Sequence, residues 1–191
     1  MLQRLVADQS MHALSGTAFA VTPTLRESYA EGDDDELAEV ALREAALASL
    51  RLLAGTGGQE RSDGGIGTGG QERSDGGVGT GGQERSDGGM RTDGGELPLR
   101  RAVLVADVDG ATIRPDLDDA VVRLAGPIAM GDVIAAYLDN ASAEPAVKAA
   151  IEVVDLADFG DEDAELTVGD AQDHDLAWYA TQELPFLLEL L

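Results

Sequence analysis

Asp107 and Asp109 are the residues whose type and spacing have the clearest potential for chemistry. The apolar run Val103-Leu-Val-Ala106 predicts a strand, and it leads directly into the two carboxylates and then into Gly110. An Asp-Gly turn at the end of a strand is common and gives a purely structural interpretation of the same residues. The pattern by itself therefore leaves a catalytic and a structural interpretation open.

The pattern resembles the first motif of haloacid-dehalogenase-type phosphatases. In that family the first Asp attacks phosphorus, the second acts as acid and base, and Mg²⁺ offsets the charge. The resemblance implies these two roles for Asp107 and Asp109. It also implies that Lys148 is the lysine of the site and that Asp161 and Asp163 are its further acids. A Mg²⁺-dependent phosphoryl transferase is thus the alternative hypothesis for function.

The sequence also departs from that motif. Thr follows Gly directly in the family pattern, whereas Ala111 separates Gly110 from Thr112 here. The motif normally opens a large Rossmann-like domain, and the chain after Gly110 is short for one. We therefore expect no catalytic residue, no cofactor and no metal site as the main interpretation.

The remaining polar clusters favour surface interpretations. His174 is flanked by Asp173 and Asp175, but side chains adjacent in sequence diverge, so we expect a solvated imidazole there and at His12. A calcium loop needs alternating ligands and a distal Glu. The following acids lack that spacing and predict a solvated face: Asp155, Asp158, Asp161, Glu162 and Asp163.

The charge balance excludes several kinds of partner. The formal net charge is −24, from 37 acidic and 13 basic residues, which disfavours nucleic acid and anionic membranes. The longest basic run is Arg100-Arg101. The chain has no Cys, which excludes disulfides and thiolate chemistry. No apolar stretch is long enough to span a membrane, and the N-terminus lacks a signal-peptide core, so we expect a cytoplasmic protein.

A tandem repeat interrupts the chain. Gly-Thr-Gly-Gly-Gln-Glu-Arg-Ser-Asp-Gly-Gly-X occupies 55–66, 67–78 and 79–90. One apolar residue per copy cannot offset the backbone entropy that so many glycines lose on ordering. The period of twelve and the Thr after the glycines separate the repeat from calcium-binding β-rolls. We therefore predict a disordered linker over 55–95 inside one discontinuous domain formed by 1–54 and 96–191.

Local patterns outside the repeat predict an α+β fold. We expect a single domain with helices packed on a mixed or antiparallel sheet and a disordered Gly-rich insertion. Thr22 and Ser142 are the expected N-caps of the second and fourth helices, and an Asp run over 33–35 precedes the third. The predicted helices span 1–8, 23–30, 35–53, 143–156 and 183–191, the strands span 17–22, 101–106, 120–125, 133–138 and 176–180, and 161–172 is ambiguous.

The C-terminal stretch holds most of the aromatic residues. Trp178, Tyr179 and Phe186 lie there among several leucines, in a chain with few other aromatics. Core packing is the expected role, because such a chain needs its aromatic rings inside. The alternative is an exposed surface on which a partner docks.

Three stretches together resemble one family. Residues 17–30, residues 36–53, and 143–148 together with Trp178-Tyr179 are similar to an uncharacterised family of small acidic actinobacterial proteins, a domain of unknown function. The resemblance carries no catalytic motif. The lack of a convincing catalytic set and the acidic charge favour a non-enzymatic accessory or protein-interaction module with an unknown protein partner. Members of that family begin with a short strand before the first helix, so we expect that the native start lies upstream of Met1.

Overall fold

The computed structural model describes residues 2–29, 32–62 and 98–189. These residues form six α-helices and eight β-strands, which confirms the α+β class. The helices are α1 (Leu2–Asp8), α2 (Pro23–Ser28), α3 (Asp34–Ser62), α4 (Glu144–Asp158), α5 (Glu162–Gln172) and α6 (Leu184–Glu189). The strands are β1 (Ser10–Met11), β2 (Thr17–Phe19), β3 (Ala102–Ala106), β4 (Ala111–Ile113), β5 (Val121–Leu124), β6 (Ile128–Ala129), β7 (Val133–Asp139) and β8 (Leu176–Ala180).

Every strand pairing within this part of the chain is antiparallel. The strands form a two-stranded sheet β1-β6 and two three-stranded sheets, β2-β5-β4 and β3-β7-β8. In place of the one mixed or antiparallel sheet that the sequence predicts, the described residues form three small antiparallel sheets. The sheet β3-β7-β8 joins segments far apart in sequence.

Side-chain caps fix two helix starts that the sequence predicts. The Thr22 hydroxyl accepts a hydrogen bond from the Leu25 N–H at 3.0 Å and donates to the Asp119 carbonyl. The Asp33 carboxylate accepts from the Glu36 N–H, and the Glu36 carboxylate accepts in return from the Asp33 N–H. This reciprocal pair is a capping box, which satisfies backbone donors that have no partner inside the helix.

Several helix boundaries differ from the predicted ones. Helix α3 runs to Ser62, beyond the expected end at 53, so the first part of the predicted linker is helical. The remainder of that linker, from 63 onward, lies outside the described residues. Ser142 does not cap α4, because the N-cap position falls on Ala143, which has no side chain that could cap. The ambiguous acidic stretch is helix α5, and Asp161 accepts a hydrogen bond from the Ala164 N–H at its start.

Residues from before and after the repeat pack into the same hydrophobic cluster. Leu50 of α3 is fully buried against Val147 and Val154 of α4 and Val168 of α5. A second cluster joins α2 and α3 to Ala120, which precedes β5. These contacts bring the two flanks of the repeat together and fix the position of α3 beside β3.

A buried ion pair lies at one end of the sheet β3-β7-β8. The Arg101 guanidinium donates to both oxygens of Asp139, at 3.0 and 2.7 Å, and to the His174 carbonyl at 2.8 Å. The Arg101 N–H also donates to the Asp139 carboxylate, and the Asp139 N–H donates to the Arg101 carbonyl. Both side chains are at most 2% exposed. Side-chain and backbone bonds together link the start of β3, the end of β7 and the turn before β8.

We expect Asp139→Ala to destabilise the protein by about 3–5 kcal/mol, because it leaves a buried guanidinium without its counter-charge. The free energy of unfolding in urea measures this loss. The double variant Arg101→Met with Asp139→Leu removes both charges, and we expect it to recover most of the loss. A double variant as unstable as Asp139→Ala would show that packing at this site, and not the unpaired charge, accounts for the effect.

Candidate functional site

The sheet β3-β7-β8 has one face that helices cover. Ala136, Leu138 and Leu184 are buried there, and Leu2 and Val6 of α1 pack against them. Tyr179 of β8 and Leu187 of α6 belong to the same cluster. We call this side the inner face, and α1 and α6 shield it from water.

The opposite side of the same sheet, the outer face, consists of Val103 and Val105 of β3, Ala135, Tyr137 and the buried Asp139 of β7, and Leu176, Trp178 and Ala180 of β8. Side chains of a strand alternate between faces, and residues directly opposite in an antiparallel pair lie on the same face. The register places Val103 opposite Tyr137, and Tyr137 opposite Trp178. These three side chains therefore form one row across three strands.

The outer face is apolar and partly open to water. Trp178 is 58% exposed and Val105 is 37% exposed. None of the outer-face residues belongs to the four hydrophobic clusters of the described chain. A bulge between Val105 and Ala106 leaves Ile134 of β7 without an opposite partner, and Ile134 is 60% exposed.

The outer face carries almost no charge although the protein is strongly acidic. The three strands contain a single acidic or basic residue, Asp139, and its charge is matched by Arg101. A solvated sheet face normally alternates apolar and polar residues along each strand. Here the strands are apolar on both sides, which is typical of a sheet that is covered on both sides.

The expected core packing of the C-terminal aromatic residues is only partly right. Tyr179 packs on the inner face, but Trp178 is exposed, and Phe186 of α6 is 70% exposed. Strand alternation explains the difference, because neighbours in β8 point to opposite faces and, among the described residues, the cluster formed with α1 and α6 lies on the inner face. Leu190 and Leu191 lie outside the described residues.

Acidic residues mark one end of this sheet. Asp107 follows β3, and its N–H donates to the carbonyl of Asp132, which directly precedes β7. Glu183 follows β8, and its carboxylate accepts from the Ala180 N–H at 2.8 Å. All three side chains are exposed. We call them the acidic rim.

The residues of the predicted phosphoryl-transfer site are only partly brought together. Asp107, Asp109 and Asp132 line an open concavity of about 260 Å³, and all three are exposed. Lys148 does not line it and lies exposed on α4. Asp161 caps α5, and Asp163 lies in the first turn of that helix. In the described ranges, no three His, Asp or Glu side chains are placed to share a metal ion.

Most arginines of the described residues are held by the protein's own acidic groups. Arg100 and Arg101, the longest basic run, pair with Glu144 and Asp139. Arg123 donates to the Ser15 carbonyl and to the Thr17 hydroxyl. The other ion pairs join Arg26 to Asp34, Arg51 to Asp158 and Arg114 to Asp116. Most arginine side chains of the described residues are therefore engaged within the protein.

A second concavity, of about 200 Å³, lies where α3, α4 and α5 meet. Arg51 donates to both oxygens of Asp158 at 3.0 and 2.6 Å, and this hydrogen bonding lowers the pKa of Asp158. Glu44 lies on α3, as Arg51 does. Burial raises the pKa of Glu44 and the nearby Asp118 carboxylate raises it further, whereas the positive charge of Arg51 lowers it. The concavity is thus a gap between three packed helices, and the ion pair between Arg51 and Asp158 lies in its wall.

The comparisons with known proteins identify one family. The model of a family of unknown function, DUF6912, matches residues 1–63 and 83–188. No curated protein matches the chain, and no solved structure matches it. Among the described residues, no helix is both long and apolar enough to cross a membrane.

We expect Glu44→Gln to stabilise the protein near pH 7 by no more than about 1 kcal/mol, because the group is partly exposed. Since the folded pKa of Glu44 is raised, ionising this carboxyl costs stability as the pH rises above the ordinary value of 4.5. Urea unfolding should show no gain below that pH. Glu39→Gln, on the exposed side of α3, controls for the loss of one charge, and an equal gain in both variants would contradict the prediction.

We also expect neither the wild-type protein nor Asp107→Asn to release phosphate from p-nitrophenyl phosphate in the presence of Mg²⁺. The physical reason is that the described geometry offers Asp107 no convergent cation. Absorbance of p-nitrophenolate measures the release. Turnover by the wild-type protein that Asp107→Asn abolishes would establish the phosphoryl-transfer alternative.

Proposed function

The chain belongs to the family of unknown function DUF6912, and we propose that it is a non-enzymatic protein-interaction module whose partner docks on the outer face. The module would work in the cytoplasm, the location that the sequence predicts. One observation carries the proposal: an apolar sheet face, with Trp178 58% exposed and its single carboxylate, Asp139, buried against Arg101, on a protein of net charge −24.

The composition of the outer face is that of the centre of a protein interface. Tryptophan and tyrosine dominate the residues that contribute most binding energy, and charged residues are depleted there. Tyr137 and Trp178 lie directly opposite each other on neighbouring strands, so one partner surface would contact both rings. Val103 extends the same row on the third strand.

Phe159 is an exposed aromatic residue outside the sheet β3-β7-β8. Phe159, at the end of α4, is 89% exposed, but no register places it in a row with other apolar side chains. Single exposed apolar residues are normal on a protein surface and need no partner. Phe159 therefore provides a matched control for the role of Trp178.

We expect Trp178→Ser to lose a partner that the wild-type protein retains in affinity purification from the organism that encodes it, while Phe159→Ser keeps that partner. Both substitutions remove an exposed aromatic ring, so only the position differs. Quantitative mass spectrometry of the retained proteins measures the difference, and thermal unfolding confirms that both variants fold. Equal retention by all three proteins would contradict docking on the outer face.

A further inference from the structure

We infer that the outer face binds a basic amphipathic helix of a partner protein, with the apolar side of that helix over the row Val103–Tyr137–Trp178 and its cationic residues against the acidic rim. The inference rests on the proposed function and specifies the chemistry of the partner. Three features of the sheet support it: its width, the different sizes of the side chains on its outer face, and the charges at its end.

The dimensions of the outer face fit one helix. Three antiparallel strands span about 10 Å between the outer two, which matches the 10–12 Å diameter of an α-helix. Ala135, which is only 3% exposed, and the half-buried Ala180 lie opposite each other beside the larger rings of Tyr137 and Trp178. The inner face of the same sheet is already covered by helices α1 and α6. A docked helix would give the sheet a helix layer on each side, which is a common way of burying two apolar faces.

The charges at the end of the sheet select a basic partner. In the described chain, no Arg or Lys side chain pairs with Asp107, Asp132 or Glu183. The interaction of these carboxylates with a cationic helix is complementary, whereas an acidic helix would meet like charges. Ion pairs at such an exposed rim act mainly on the association rate and on specificity, and they weaken as salt rises.

The same charges argue against a second copy of this chain as the occupant. A second copy would bring an identical acidic rim and the same net charge of −24. Its outer face would offer no cation in return, because Arg101 is buried against Asp139 and Arg100 pairs with Glu144. Partners with free lysine or arginine residues beside an apolar stripe lack this repulsion.

Trp178 makes the inference directly measurable, because it is the only tryptophan of the chain. The probes are three synthetic helical peptides of about 18 residues, or five turns, with one shared Leu/Ala stripe and a polar side of Lys, Gln or Glu. Fluorescence anisotropy of labelled peptide measures binding. The emission maximum of Trp178 reports whether its ring leaves water, in experiments with unlabelled peptide.

We expect the Lys peptide to bind at least about tenfold more tightly than the Gln peptide at low salt, the Glu peptide not to bind, and the Lys advantage to shrink as salt is added. The Lys and Gln peptides should both shift Trp178 emission to shorter wavelength. Trp178→Ser should weaken both. The exposed pair Asp107→Asn with Glu183→Gln should weaken only the Lys peptide, and Phe159→Ser should change neither.

The possible failures are distinguishable. Equal binding of the Lys and Gln peptides, both sensitive to Trp178→Ser, would overturn the basic partner and leave docking on the outer face intact. Binding of the Lys peptide that ignores Trp178→Ser would show attraction by net charge alone and contradict the proposed function as well. Binding of none of the peptides would overturn the basic helix, and the affinity purification would still decide the function. A dimer with a protected Trp178 in light scattering and emission would identify a second copy as the occupant.

Discussion

The buried ion pair between Arg101 and Asp139 organises the sheet on which the proposed function rests. Removing two charges from water is costly, and such a pair is tolerated only when its hydrogen-bonding groups find partners. Here the carboxylate receives a backbone N–H as well as the guanidinium, and the guanidinium also reaches the His174 carbonyl. The pair therefore fixes the start of β3 against the end of β7 and holds the segment that enters β8. A shift of one residue in this register would exchange the inner and outer faces of a strand.

Helix coverage gives the two faces of this sheet different environments. Helices α1 and α6 bury the inner face, and no described cluster includes the residues of the outer face. The strands nevertheless carry apolar side chains on both sides, so the sequence of the sheet matches a more covered environment than the described part of the chain provides. The exposed Trp178 follows from that mismatch. A docking partner would resolve it by supplying the missing layer.

The distribution of charge on the described residues favours a basic partner. Five arginines of the described residues form ion pairs with acids of the same chain, so basic groups stabilise the fold while many carboxylates remain free. The acidic rim lies at the end of an apolar face. An apolar contact area thus has negative charge directly beside it. That combination favours partners that are both apolar on one side and basic beside it.

The sequence alone determined the features that depend on neighbouring residues. Helical spacing of apolar residues predicted α1, and a Leu/Ala-rich run after three Asp residues predicted most of α3. The cap at Thr22 predicted α2 and was right, because a side chain beside the helix start decides it. The short strands β1, β4 and β6 escaped prediction, because two or three residues carry little periodic signal, and β1 and β6 form only by pairing with each other across the sequence. Asp107 and Asp109 were recognisable as a motif, but their distance from Lys148 depends on packing. Only the tertiary structure decided that Trp178 faces water, since the sequence fixes the alternation of a strand but not which side the helices cover.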